Sequence, residues 1–144
     1  MYNSQAKLAL KYSSTMNHPI RKSTLSHIFL KNKLKVAVLG GGSWATALIK
    51  IITENKRKVG WYVRKDVNIE FIKTNHHNPN YISSTSLNTR RLKISSNINQ
   101  VIIDADILII AIPSAFISSE LAKINTLINE KIIFTGVKGV VPES

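Results

Sequence analysis

The sequence predicts an α/β fold: a doubly wound, mostly parallel sheet with helices on both faces. Three observations predict it. Short β-branched runs alternate along the chain with segments whose apolar residues recur at helical spacing. The first run, Leu34-Lys35-Val36-Ala37-Val38-Leu39, ends on glycine and passes at once into a helical pattern. The most apolar segment, Val101 to Pro113, contains a central-strand candidate, Asp106 to Ile112, of the kind that a parallel sheet covered on both faces buries.

The elements follow in order. From Ser43 to Glu54 the residues Ala45, Leu48, Ile49 and Ile52 fall on one helical face. Lys56 to Lys58 is a polar turn, and Val59-Gly60-Trp61-Tyr62-Val63 is the second strand. Asp66 is expected to cap a second helix that carries Ile69 and Ile72 and ends near Asn75. His76 to Arg91, rich in Asn and Ser, is a loop. Leu92 to Ser95 reads as a short strand and Ile98 to Asp104 as a short helix. Asp106 to Ile112 is the central strand, and Ala115 to Asn129 reads as a helix presenting Phe116, Leu121, Ile124 and Ile128. Lys131 to Val137 is the last strand, and no internal repeat is present.

Composition narrows the function classes. The 144 residues suit one domain with a real core. No apolar run reaches the roughly 20 residues that cross a bilayer, because Asp104 and Asp106 interrupt the best candidate. The absence of cysteine excludes a disulfide framework, a thiolate metal site and a cysteine nucleophile. It fits a reducing compartment, and a cytoplasmic location is expected.

The net charge of +12 raises a nucleic-acid reading, which its distribution argues against. Half of the excess lies before Leu34, in Lys7, Lys11, Arg21, Lys22, Lys31 and Lys33, with no acidic residue among them. Elsewhere Lys and Arg are scattered among Asn and Ile rather than grouped with aromatics, a pattern that suits an AT-rich genome better than a nucleic-acid surface. Residues 1–33 are therefore expected to be a basic, disordered extension or the product of a misassigned start, in preference to a transit peptide. Residues 34–144 are the expected folded domain.

The turn Gly40-Gly41-Gly42-Ser43-Trp44-Ala45 carries the chemistry. Gly40 permits the sharp exit from the strand. Gly42 lacks a side chain, so a pyrophosphate can approach the backbone, and the helix behind it offers unpaired N–H groups and its positive dipole end. The pattern is G-x-G-x-x-A in the strand–turn–helix–strand setting of a Rossmann-type dinucleotide-binding unit, with Ala45 at the place that governs helix–strand packing. The simpler alternative is a glycine turn that merely joins strand to helix. The end of the second strand, which meets the adenosine ribose, carries Arg64-Lys65 where an NAD site places a carboxylate. Two cations suit a 2′-phosphate, which favours NADP, or use of both cofactors, over strict NAD. Alternatively they are solvated surface charges.

Beyond the glycines, ordered segments carry a family resemblance: Val38-Leu39-Gly40-Gly41-Gly42-Ser43-Trp44-Ala45-Thr46-Ala47, Trp61-Tyr62-Val63-Arg64, His77-Asn78-Pro79-Asn80-Tyr81, Ala111-Ile112-Pro113-Ser114-Ala115-Phe116 and Val137-Lys138-Gly139-Val140-Val141-Pro142-Glu143. With these, Lys35 to Ser144 resembles the amino-terminal, cofactor-binding half of bacterial NAD(P)-dependent glycerol-3-phosphate dehydrogenase. The Ser-Trp pair and the Asn-Pro-x-Tyr loop are the selective parts.

The resemblance implies that Ser43 and Trp44 touch the pyrophosphate and flank the nicotinamide side. It implies that Arg64 and Lys65 hold the adenosine ribose or its phosphate, that Phe116 lies against the cofactor, and that Lys138 reaches both cofactor and substrate phosphate. It further implies interconversion of glycerol 3-phosphate and dihydroxyacetone phosphate, serving glycerophospholipid synthesis, with oligomer formation possible. The plainer alternatives are a core role for Trp44, helix packing for Phe116 and a solvated turn for Lys138. His76 and His77 are adjacent in a polar loop and lack metal-pair spacing, so no metal is expected.

In the family the general acid/base lysine comes from a later helical domain. No catalytic residue is therefore assigned within the sequence, and the chain is expected to bind cofactor without turnover. The competing readings are a non-catalytic NAD(P)-sensing module and a related 2-hydroxyacid or ketopantoate-type reductase.

Overall fold

The computed structural model describes residues 34–136. The extension and Lys138 lie outside the described residues. Five strands, β1 (Val36–Leu39), β2 (Val59–Tyr62), β3 (Leu92–Ser95), β4 (Ile107–Ile110) and β5 (Ile132–Thr135), form one sheet in the order β3-β2-β1-β4-β5. All four pairings are parallel. The helices are α1 (Ser43–Glu54), α2 (Asp66–Asn75), α3 (Ile98–Ile102) and α4 (Ser114–Leu121), with a 3₁₀ turn at Thr89–Arg91.

Strand alternation divides the core between the two faces. In β1, Ala37 and Leu39 join a cluster with Ile98, Val101 and Ile102 of α3, against which Ile117 and Leu121 of α4 pack. Val38 points the other way and joins Ala45 and Ile49 of α1 and Ile69 and Ile72 of α2. Each of the buried Val, Leu and Ile side chains stabilises the fold by about 1.5–3 kcal/mol relative to exposure. The strands β2, β1 and β4 are thus covered on both faces, as the alternation of strand and helix patterns predicted, whereas all four residues of β5 are exposed.

Two predicted details are corrected. Asp66 does not cap α2: the N-cap is Lys65, no side chain caps it, and Asp66 sits in the first turn, where its charge still meets the positive dipole end. The last helix is also shorter than the predicted Ala115 to Asn129, ending at Leu121. The reason is a competing side chain. The Asn99 amide donates to Lys123 O at 2.9 Å, and its carbonyl oxygen accepts from Asn125 N at 2.9 Å and from Thr126 Oγ1 at 3.1 Å. Those bonds hold residues 123–126 out of the helix. Ile124 and Ile128 keep their predicted place against the core without being helical.

Candidate functional site

The strand order reverses between β1 and β4, which start from adjacent positions and send their connections to opposite sides. A parallel sheet opens a crevice at the carboxyl ends of the strands at such a point. A cleft of about 400 Å³ occupies it, lined by the glycine turn after β1, by Tyr62 to Lys65 at the end of β2, and by Ile112, Pro113, Phe116 and Glu120 beyond β4.

The glycines of the turn have different tasks. Gly40 has φ of +128°, and a β-carbon there would meet Ala111 O at 2.4 Å. This position therefore needs glycine for the fold itself. At Gly42 a β-carbon would meet nothing within 4 Å. Glycine at Gly42 is thus not demanded by the protein's own packing, and its bare backbone leaves space at the start of α1. Gly42 is the N-cap of α1, without any side-chain cap bond. The first N–H groups of the helix have no intrahelical partner and open toward that space, an arrangement suited to a phosphate.

Two residues with no role assigned from sequence brace this turn. Trp61, wholly buried in β2, donates its indole N–H to Gly40 O at 2.7 Å. Asn78, buried in the Asn-Pro-Asn-Tyr loop, donates through Nδ2 to Gly41 O at 3.1 Å and to Thr46 Oγ1 at 2.9 Å, and accepts from Asn80 N at 3.0 Å. Thr46 Oγ1 donates in turn to Gly42 O at 2.9 Å. The loop is therefore fastened to the turn it follows by more than 30 residues, and the carbonyls of Gly40, Gly41 and Gly42 each accept a side-chain hydrogen bond. The motif was visible in the sequence; the partners of Asn78 were not.

The cleft brings together Gly40, Gly42, Arg64, Lys65 and Phe116. The Arg64 guanidinium lies over the Phe116 ring, 5.0 Å from its centre, an electrostatically favourable stacking. Lys65 is exposed at the N-terminus of α2. Ser43 and Trp44 stand outside these walls. Trp44 is 55% exposed, and its indole lies against Gly136, just past β5, where a β-carbon would come within 2.5 Å of its Nε1. It thus flanks the turn on the β5 side.

Glu120 was not singled out in the sequence, although it is the one acidic residue between Asp106 and Glu130. Its residue is only 4% exposed. The carboxylate accepts a short hydrogen bond from the Tyr62 hydroxyl, takes Lys123 Nζ at 2.9 Å on both oxygens, and lies 3.7 Å from Arg64. Burial opposes its ionisation, but the hydrogen bonds from Tyr62 and Lys123 and the charges of Lys123 and Arg64 outweigh it and hold the carboxyl below the usual range. Burial and the bond to Glu120 push the Tyr62 phenol above its own.

The two loop histidines have separate surroundings: His76 Nδ1 pairs with Thr89 Oγ1 at 2.8 Å, and the His77 ring meets Phe71 edge-on at 5.1 Å. Among the described residues, no three His, Cys, Asp or Glu side chains gather in metal-binding fashion. Among them, too, no helix is long and apolar enough to cross a membrane.

Residues 35–144 match the model of the NAD-dependent glycerol-3-phosphate dehydrogenase N-terminus. Glycerol-3-phosphate dehydrogenase [NAD(P)+] of Macrococcus caseolyticus is 40% identical over 110 residues, covering 76% of this chain and 33% of the relative. The protein of the same name from Bacillus subtilis is 36% identical over 112 residues, again 76% of this chain and 32% of the relative. The chain thus spans about a third of the length of the curated relatives it matches. Among solved structures, the glycerol-3-phosphate dehydrogenase of Plasmodium falciparum superposes with a TM-score of 0.67 at 25% identity, over 77% of this chain and 34% of that one. The Coxiella burnetii enzyme shares the fold, with a TM-score of 0.63 at 22% identity over 75% and 33%. By its sequence match and its Rossmann-type sheet, the chain belongs to the NAD-dependent glycerol-3-phosphate dehydrogenase family, in its amino-terminal part.

Proposed function

We propose that this chain is the cofactor-binding part of an NAD(P)-dependent glycerol-3-phosphate dehydrogenase, interconverting glycerol 3-phosphate and dihydroxyacetone phosphate. The observation that carries the reading is the bare backbone at Gly42, at the uncapped start of α1, facing a cleft whose far wall holds Arg64, Lys65 and Phe116. The residues fit a dinucleotide: α1 and Gly42 for the pyrophosphate, Arg64 and Lys65 for the adenosine ribose or its 2′-phosphate, Phe116 for an apolar contact. Ser43 and Trp44 serve the pyrophosphate and the nicotinamide end, an assignment supported by the position of Trp44 on the β5 side of the turn.

A bound nicotinamide dinucleotide would supply hydride transfer; the residues of the cleft would bind and orient it, with Arg64 and Lys65 neutralising phosphate charge. By family resemblance Lys138 reaches the cofactor and the substrate phosphate. The reading includes NADP or dual use, a folded domain that starts at Leu34 behind a basic extension, and a cytoplasmic setting, which suits a chain without cysteine. It also places the activity in glycerophospholipid synthesis.

Titration of the purified chain with NADPH and NADH, followed by nicotinamide fluorescence, tests the reading. Saturable binding that is lost in Gly42→Val, with an unchanged folded circular dichroism spectrum, is expected. A folded wild-type chain that binds neither cofactor would overturn it.

A further inference from the structure

The cluster formed by Glu120, Tyr62, Arg64 and Lys123 goes beyond cofactor binding as such. Glu120 is a buried carboxylate in the wall of a cleft proposed for an anionic ligand. An acid there repels phosphate, and it needs a reason. Its oxygens are engaged: Oε2 accepts from Tyr62 and Lys123, and Oε1 accepts from Lys123 and lies 3.7 Å from Arg64 Nη1. A carboxylate so engaged is not placed to accept a ribose hydroxyl, as the acid of an NAD site does. What it does contact is Arg64, the cation at the end of β2.

Resting on the reading above, we propose that Glu120 is a specificity-determining residue that acts through Arg64: by compensating the charge of this guanidinium, it weakens the site's preference for a 2′-phosphate and keeps NAD in use alongside NADP. The geometry supports the sign. Arg64 is already held over Phe116 at 5.0 Å, so loss of the carboxylate leaves the guanidinium in place with its charge uncompensated. Lys123, whose side chain is half exposed, competes with Arg64 for the same carboxylate. Removing Lys123 leaves Arg64 as the cation that compensates Glu120 and makes it less available to a phosphate. The two substitutions therefore have opposite effects, which a merely structural role for the cluster does not produce.

The test uses the full chain and fluorescence titration with NADPH and NADH at fixed ionic strength. In Glu120→Gln, NADPH affinity rises by roughly fivefold while NADH stays within about twofold, the scale of one partly exposed ion pair. In Lys123→Met, NADPH affinity falls by roughly threefold with NADH again little changed. Lys123 is on the surface, so this variant keeps the test decisive if the buried substitution impairs folding. Equal changes for both cofactors, an unchanged ratio, or a ratio that moves the same way in both variants overturns the proposal. Wild-type chain that binds neither cofactor is a separate result, and it removes the underlying reading instead.

Discussion

On the β2 side of the glycine turn, polar groups hold one another in place. Arg64 lies over Phe116 and beside Glu120, Glu120 takes Tyr62 and Lys123, and Asn78 ties its loop to Gly41 and Thr46. On the β5 side the surface is apolar: Trp44, Ile132, Ile133 and Phe134 all expose large hydrophobic area. The contrast separates two kinds of information. Directional bonds fix where individual charges stand, which is what recognition of a phosphate or a ribose requires. Apolar area without directional bonds favours association but specifies little about the geometry of a ligand.

The largest effect that sharpens this contrast lies in the turn between the two sides. Gly40→Ala is expected to destabilise the domain by about 3 kcal/mol or more, because φ is +128° and the new β-carbon meets Ala111 O at 2.4 Å. Gly42→Ala should leave stability within about 0.5 kcal/mol and weaken NADPH binding instead. Urea denaturation and fluorescence titration, run on both variants, read the two outcomes apart. Equal loss of stability in both would show that the glycines share one structural task.

Next in size is Asn78→Ala. It removes the donor to Gly41 O and Thr46 Oγ1 from a buried place. A loss of about 1–3 kcal/mol is expected by thermal denaturation. Hydrogen exchange of residues 78–82 should rise with it. A variant that melts like wild type would mean that the loop does not depend on this brace.

A smaller effect concerns acid. The carboxyl of Glu120 is held below its ordinary range, so its contribution to stability is complete above that range and is lost as the pH falls through the depressed folded value. Melting temperature measured from neutral to strongly acidic pH should therefore fall less steeply in Glu120→Gln than in wild type. Parallel profiles would place the acid sensitivity elsewhere.

The smallest stability effect is expected on the apolar side. Phe134→Lys, at a position 55% exposed on β5, should change stability by no more than about 0.5 kcal/mol. Its readout is self-association, measured by light scattering against concentration, which should decrease because β5 ends the observed sheet order with apolar residues exposed. Unchanged association would show that the β5 face does not drive it.

Much of the fold was legible from local pattern. Strand and helix periods placed β1, α1, β2, α2 and β3 within one or two residues, because those elements bury faces whose apolar spacing is written directly in the chain. The end of the last helix was not legible. Its apolar spacing continues through Ile124 and Ile128, yet a side chain far away in sequence, Asn99, holds the backbone out of the helix. Asp66 shows the same limit on a smaller scale, since a cap and a first-turn acid differ by one residue of backbone geometry.

The sequence by itself determined the parallel α/β plan, the glycine turn, the cations after β2 and the family resemblance, all of which rest on local spacing or contiguous motifs. Only the tertiary structure decided that Gly40 and Gly42 do different work, that Asn78 braces the turn, and that Glu120 sits beside Arg64. Those depend on which atoms meet across 32 to 71 positions of chain, as in Asn78 with Thr46, Tyr62 with Glu120 and Gly40 with Ala111. Sequence spacing carries no distance between such residues; the register of the packed sheet does.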